Sequence, residues 1–327
     1  MRVLINGFGR IGRSVLRAWL QEPEHWPGLE IVAVNDIASS EMCAYLFEFD
    51  SIFGLWKGAV SLGEGCLCVD GRSLRLSRVP DLSQLALSGI DLVVECTGQA
   101  HERDVAERGL RAGARRVLIS GPSQAAGYTV VLGANDAGLG NQPIVSNASC
   151  TTNALAPLVK LIDRNWGVVT GTMTTVHCYT GSQPTIDAPA AEFARSRAAA
   201  LSMVPTTTSA QKLLDLVLPE VAGRIMASAV RVPVASVSCV DLAVMTQKPV
   251  TAAAVSAAFQ GAGGVIGVTD KALVSTDLRA RAESIVMALP ETRVTPQGLL
   301  RVFGWYDNEW GFSNRMLDIA TRMGKAV

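Results

Sequence analysis

The sequence predicts an α/β protein: a doubly wound parallel sheet, followed by a second, α+β domain built on a mixed or antiparallel sheet. Three observations carry this expectation. A glycine turn joins the first strand to the first helix within Val3 to Gly12. Strand-like and helix-like segments then alternate up to a helix opening near Cys150, the pattern of a parallel sheet covered on both faces. Beyond that helix, two long runs rich in β-branched residues, Val168 to Val176 and Ser236 to Thr246, have few helices between them. Such runs suit mixed or antiparallel pairing.

The totals set bounds. A length of 327 residues suits about two domains. With 49% hydrophobic and 18% charged residues, the chain can bury a sizeable core and is not disordered. The 29 basic and 29 acidic residues cancel. No overall field therefore draws the chain to nucleic acid or to a membrane surface, and local groups must hold any anionic ligand. The seven cysteines are odd in number and scattered, and Cys66 and Cys68 stand too close for usual zinc spacing. Reduced thiols in a cytoplasmic protein with no metal site are expected. The chain opens directly on the strand-like Arg2 to Ile5, with no room for a signal peptide. Pro249 to Thr269 is uncharged and long enough to span a membrane, but Gly261, Gly263 and Gly264 interrupt it, so no span is expected.

In chain order, Gly7, Gly9 and Gly12 follow the first strand with G-x-G-x-x-G spacing. The first glycine permits a tight turn, the second lets backbone approach a pyrophosphate, and the third lets the helix pack closely on the strand. The second strand, Glu30 to Val34, ends at Asn35 and Asp36. An acidic residue there accepts hydrogen bonds from an adenosine ribose and repels a 2′-phosphate; the alternative for Asp36 is a cap or turn residue. A Rossmann-type dinucleotide domain follows from these two features together. Cys66 to Leu74 reads as a hairpin turning on Asp70-Gly71. A buried strand from Asp91 ends at Thr97 and Gly98, a helix runs from about His101 to Ala112, and Val117 to Ser120 is the next strand. Thr97, Gly98 and Ser120 thus fall at carboxyl ends of strands, where such sheets bind ligands. Later, Cys178 to Met203 reads as a long functional loop and Gly311 to Met323 as an amphipathic helix.

The chemistry centres on Ser149-Cys150-Thr151-Thr152-Asn153. Ser149 stands where it can cap the helix, and the free N–H groups and positive end of the first turn would favour thiolate over thiol. The same groups suit an oxyanion or a phosphate. The other reading of Cys150 is a buried cysteine acting as a small apolar residue. His177 directly follows a β-prone run and falls at a strand end, whereas His25 and His101 read as surface residues. An imidazole beside Cys150 would stabilise the thiolate and serve as a base, although a solitary histidine is more often structural.

Five segments together resemble phosphorylating glyceraldehyde-3-phosphate dehydrogenases: Asn6 to Arg13, Ser146 to Asn153, Thr175 to Thr180, Arg231 to Pro233, and Trp305 to Gly311. The likeness runs from about residue 1 to 323. It implies a nucleotide domain over 1–149, to which a C-terminal helix over 315–327 returns, and a catalytic domain over 150–314. It implies NAD as cofactor, held by Gly9, Arg10, Ile11, Gly12, Asp36, Thr97, Gly98 and Ser120, with Asn314 on the nicotinamide carboxamide. Cys150 would be the nucleophile and His177 the base. Thr180, Ser182 and Arg231 would hold the substrate phosphate, with a structural ion pair as the alternative for Arg231. Ser149, Thr151 and Thr208, with Ser209 beside them, would hold the attacking phosphate. The implied partners are a small phosphorylated aldehyde and inorganic phosphate, with no nucleic acid and no membrane, in a homotetramer.

Some positions depart from the family pattern. Ala154 replaces a second cysteine, Ser209 a glycine, Ser202 an asparagine and Ala100 an aromatic residue, while Phe53 and Leu55 interrupt a motif after Asp50-Ser51. These departures touch substrate, phosphate and cofactor surroundings but spare Cys150 and His177. They leave open erythrose 4-phosphate as substrate or arsenate in place of phosphate. A reading of another class is a non-catalytic, NAD-binding interaction protein.

Overall fold

Val3, Leu4 and Ile5 are almost wholly buried and lie inside a nine-stranded sheet. Across the sheet the strands run Val60–Gly63, Cys66–Val69, Arg72–Ser77, Glu30–Asn35, Arg2–Asn6, Leu92–Glu95, Arg116–Ile119, Ile144–Ser146 and Tyr128–Thr129. From Arg72–Ser77 onward each neighbour is parallel, while the first three strands form an antiparallel meander at one edge. Leu92–Glu95 and Arg116–Ile119 are buried at every position, as expected of strands covered on both faces. The chain leaves Arg2–Asn6 towards one side and returns to pair on its other side. The crevice at the carboxyl ends of strands flanking such a reversal is where doubly wound sheets bind nucleotides. The Asp70-Gly71 hairpin forms with both residues at positive φ, 49° and 78°, the geometry that makes this dipeptide favoured in two-residue turns.

The computed structural model, described over residues 1–325, forms two compact units. One comprises residues 1–130, 137–148 and the chain from 313 onward; the other comprises 131–136 and 149–312. Residues 131–136 thus sit with the second unit, Ser149 opens it, and Ser313 and Asn314 already belong to the first. The last helix spans Trp310–Lys325, and its later turns are fastened within the first unit: Trp26 Nε1 donates to Asp318 at 2.8 Å, and Arg116 Nη1 donates to the Met323 carbonyl at 2.6 Å. Ala326 and Val327, the end of the helix expected over 315–327, lie outside the described residues.

The second unit is built on an eight-stranded mixed sheet. Val204–Thr206, Ile225–Val232, Val168–Cys178, Ser238–Thr246, Leu299–Tyr306, Ile285–Ala288 and Ile266–Thr269 lie in that order, and Arg293–Val294 also pairs with Leu299–Tyr306. Val168–Cys178 pairs in parallel with Ile225–Val232 and antiparallel with Ser238–Thr246. The helix Cys150–Trp166 has ten buried residues, including Leu155, Leu158, Val159 and Ile162. The Pro249 to Thr269 stretch resolves into the eleven-residue helix Ala252–Ala262 and the strand Ile266–Thr269. Among the described residues no helix is long and apolar enough to cross a membrane.

Candidate active site

Three glycines shape the nucleotide crevice, each for a different reason. Gly7 has φ 89°, and a Cβ there would fall 2.6 Å from the Thr97 nitrogen. A Cβ on Gly12 would fall 2.1 Å from the Gly7 carbonyl oxygen, so the helix Arg10–Gln21 can press on the strand only if this residue has no side chain. Over Gly9 nothing lies within 4 Å, which leaves the start of the helix open to an incoming anion. A cavity of about 290 Å³ lies there, lined among others by Asn6, Gly9, Asp36, Thr97 and Arg108.

Asp36 lines that cavity and also braces it. One carboxylate oxygen accepts from Phe8 N at 2.6 Å and the other from Ala38 N at 2.8 Å, so Asp36 holds the turn after its strand while lining the cavity. Behind it runs a polar ladder that the sequence did not suggest. Asn6 donates to buried Glu95, Asn35 donates to Asn6 at 2.8 Å, and Thr97 N donates to Glu95 at 2.9 Å. The ladder joins three strand ends, a relationship visible only once those strands are side by side.

The remaining candidate cofactor residues have contacts of their own. Arg10, Ile11, Gly12, Gly98, Ser120 and Asn314 are not among the residues lining the cavity. Arg10 forms an ion pair with Asp50 and lies over the Phe53 ring, 5.5 Å from its centroid. Gly98 is an exposed turn residue at φ 73°. Ser120 follows the strand Arg116–Ile119 and donates its N–H to the Glu95 carbonyl. Asn314 is buried in the last helix.

Where the chain passes into the second unit, the backbone before Cys150 takes an unusual turn. Ala148, fully buried, has φ 53°, a left-handed conformation that costs a residue with a Cβ of order 1–3 kcal/mol. Ser149 then caps the helix, its hydroxyl accepting from Thr152 N at 3.1 Å. Cys150 follows as the first helical residue, with its sulfur 3.7 Å from His177 Nε2. His177 is the penultimate residue of its strand rather than the residue after it, and register places it directly beside Arg231 on the parallel neighbour. Arg231 Nη1 lies 2.7 Å from His177 Nδ1 and donates to the Cys178 carbonyl at 3.0 Å. These partners are an imidazole and a carbonyl, not the carboxylate that a structural ion pair would need.

The electrostatics correct one expectation. Burial pushes the Cys150 thiol above its ordinary value, so in this resting arrangement desolvation outweighs the helix end. Arg231 and the N–H groups of Cys150 and Thr151 oppose that shift. Because Cys150 remains partly accessible, a bound anion or substrate can change the balance. His177 is pushed down to about 4, first by burial and then by the charge of Arg231, which leaves it neutral at physiological pH.

Several contacts went unforeseen. Tyr306 OH lies 2.8 Å from both Thr151 Oγ1 and Thr175 Oγ1, and the Thr151 side chain also bonds to Cys150. Cys178 donates its thiol to Asn308 at 3.0 Å, and its N–H bonds to the Ser238 hydroxyl. Thr180 and Ser182 come together with their hydroxyls 3.0 Å apart. Thr208 Oγ1 accepts from Ala210 N at 3.1 Å, and Ser209 begins the helix Ala210–Val217 with φ −73°. Serine therefore meets no positive-φ penalty, and its hydroxyl caps nothing. Among the described residues no group of three or more His, Cys, Asp or Glu side chains is placed to hold a metal ion.

Comparison with known proteins agrees with both halves. The family described as glyceraldehyde 3-phosphate dehydrogenase, NAD binding domain, matches residues 1–103, and the C-terminal domain of the same family matches residues 149–308. The glyceraldehyde-3-phosphate dehydrogenase of Xanthobacter flavus is 44% identical, covering 99% of this chain and 99% of its own. That of Cereibacter sphaeroides is 42% identical over 100% and 99%, and enzyme 1 of Bacillus subtilis is 40% identical over 99% and 98%. The chain belongs to the glyceraldehyde 3-phosphate dehydrogenase family. Its N-terminal domain is NAD-binding, and the crevice fits that cofactor: open space above Gly9 for the pyrophosphate, and a carboxylate at the wall where a ribose would lie.

Proposed function

We propose that this chain oxidises glyceraldehyde 3-phosphate with NAD and inorganic phosphate to 1,3-bisphosphoglycerate, through a thioester on Cys150. The observation that carries the reading is the 3.7 Å approach of Cys150 Sγ to His177 Nε2. An aldehyde carbon does not readily release hydride until it bears a tetrahedral alkoxide. The Cys150 thiolate supplies that by forming a C–S bond, and His177 Nε2 is within reach of the oxygen that develops. Bound NAD supplies the hydride acceptor. The carbon is left as a thioester, which retains the energy of oxidation; phosphate then displaces Cys150 as thiolate and forms the acyl phosphate.

On this reading Arg231, Thr180 and Ser182 hold the substrate phosphate, the guanidinium because its planar fork matches two oxygens. Ser149, Thr151, Thr208 and Ser209 serve the attacking phosphate. Gly9, Gly12 and Asp36 serve the cofactor, with Arg10, Ile11, Thr97, Gly98, Ser120 and Asn314 around them. The unit of residues 1–130, 137–148 and the chain from 313 onward serves as the nucleotide domain, and that of 131–136 and 149–312 as the catalytic one. Phe193, Leu201 and Met203 are 98%, 82% and 74% exposed in the single chain, apolar surface that supports assembly as a cytoplasmic homotetramer.

Steady-state NADH formation tests the reading. Turnover with glyceraldehyde 3-phosphate should exceed that with erythrose 4-phosphate and should depend on phosphate. Higher turnover with the four-carbon sugar, or a preference for arsenate over phosphate, would move the assignment within the family. No NADH from either aldehyde would remove the enzymatic reading.

A further inference from the structure

Cys66 and Cys68 stand on one strand, Cys66–Val69, and the chemistry at Cys150 leaves both unused. Leu67 and Val69 are fully buried, while the two cysteines alternate with them and are half-buried, so both thiols project from the opposite face. Their sulfurs lie 3.8 Å apart. The neighbouring strand makes room for them. Gly63 is paired with Cys66, and a Cβ on it would fall 2.8 Å from the Cys66 sulfur and 3.8 Å from that of Cys68. On the other side Ser73 is paired with Cys68, and its side chain bonds to the Cys66 thiol. That bond, and then the one from Cys68, holds the Cys66 thiol below its ordinary value. Burial does the reverse elsewhere: it pushes Cys43 and Cys239 up to about 11 and Cys96 and Cys178 up to about 12, and it raises Cys150 as well. The thiolate is the attacking form in exchange chemistry, so Cys66 is favoured over those five.

We propose that Cys66 and Cys68 form an exchange site for small disulfides, with Cys66 as the attacking thiol and Cys68 as the resolving one. The Cys66 thiolate attacks one sulfur of the disulfide. A new S–S bond forms as the old one breaks, and the other half departs as a thiolate. Cys68 gives its proton to water and attacks the Cys66 sulfur, which releases the second half as a thiolate. The pair loses two electrons and the small disulfide gains them, while the protons lost by the cysteines are taken up by the two released thiols. The bond so formed is strained. Residues two apart on a strand are about 6.4–6.8 Å apart at Cα, the top of the range for a disulfide. Pairing on both sides holds this strand extended. Strained and exposed disulfides are the readily reduced ones. The pair therefore stays reduced where thiols are in excess and closes only as small disulfides accumulate. It lies in the nucleotide-binding unit and needs nothing from the reaction at Cys150.

Incubation with glutathione disulfide, then alkylation in denaturant, trypsin digestion and mass spectrometry, tests the site. Residues 58–72 form one tryptic peptide that holds Cys66 and Cys68 and no other cysteine. The wild-type peptide should lose two hydrogens and take no alkyl group, and excess glutathione should restore both positions to alkylation. Cys68→Ser should stop at a stable mixed disulfide between glutathione and Cys66. Cys66→Ser should react roughly tenfold more slowly at Cys68, since the favoured thiolate is gone. Full alkylation of the wild-type peptide, a persistent mixed disulfide in place of ring closure, or equal rates for the two serine variants would overturn the proposal. The wild-type result needs no variant, so misfolding of a serine variant would not shelter the proposal.

Discussion

The Thr151 hydroxyl lies 2.8 Å from the Tyr306 phenol, which bonds equally to Thr175. Thr151 adjoins Cys150 and Thr175 lies two residues before His177, so one buried oxygen ties the nucleophile's helix to the base's strand. Tyr306→Phe would leave two buried threonine hydroxyls without this partner. The expected loss is about 1–3 kcal/mol of folding stability, the usual cost of unsatisfied buried groups. Urea unfolding measures it, and unchanged stability would show that the two threonines find other partners.

Replacing Cys150 with serine should abolish aldehyde oxidation and leave NAD binding largely intact, because an alkyl hydroxyl has no accessible anion at neutral pH. His177→Asn should reduce turnover by roughly 10²–10⁴-fold, the range for a positioned general base. Turnover near wild type in Cys150→Ser would refute the covalent route.

His177 also makes stability depend on pH. Its folded value, about 4, lies below the ordinary 6.5, so the unfolded chain binds the extra proton between those limits. The contribution is fully present above about pH 6.5 and is lost as pH falls towards 4, on the order of 3 kcal/mol in all. His177→Asn removes that titration. Subtracting its stability–pH curve from that of the wild type should leave a difference that changes between pH 6.5 and 4, and a flat difference would rule the histidine out.

NAD should be preferred over NADP, since the Asp36 carboxylate would face the added 2′-phosphate. Asp36→Asn keeps an acceptor for Phe8 N while removing the charge, and should narrow the preference roughly tenfold, about 1.4 kcal/mol. Equal catalytic efficiencies for the two cofactors in the wild type would show that Asp36 does not decide the choice.

Ser209→Gly should change the half-saturating concentration of phosphate or arsenate more than it changes hydride transfer. Serine sits at φ −73°, so the substitution relieves no backbone strain and its effect comes from losing the side chain. Identical saturation curves for both anions, with unchanged hydrolysis, would place Ser209 outside the phosphate site.

Features encoded over short spans were legible in the sequence. Gly7 and Gly12 announced their turn because the steric demand arises within a few residues, and Ser149 could be read as a cap from its place before an apolar helical pattern. Contacts set by strand register were not. His177 and Arg231 are 54 residues apart and become neighbours only through parallel pairing, and Tyr306 reaches Thr151 from 155 residues away. Arg10 pairs with Asp50, 40 residues on, a contact that only the fold brings about. The thiolate at Cys150 was read from the helix end alone, which carries no information on how much water the fold removes.

The last helix has a bearing on the order of synthesis. Residues 149–312 form an almost continuous stretch of chain, needing only 131–136 from upstream, so their unit is available as soon as residue 312 leaves the ribosome. The nucleotide-binding unit emerges first but lacks the helix from Ser313 onward, to which Trp26 and Arg116 bond. A nascent chain can therefore close its later-made unit before its earlier-made one, and a premature stop just short of Ser313 would strike the domain at the opposite end of the message.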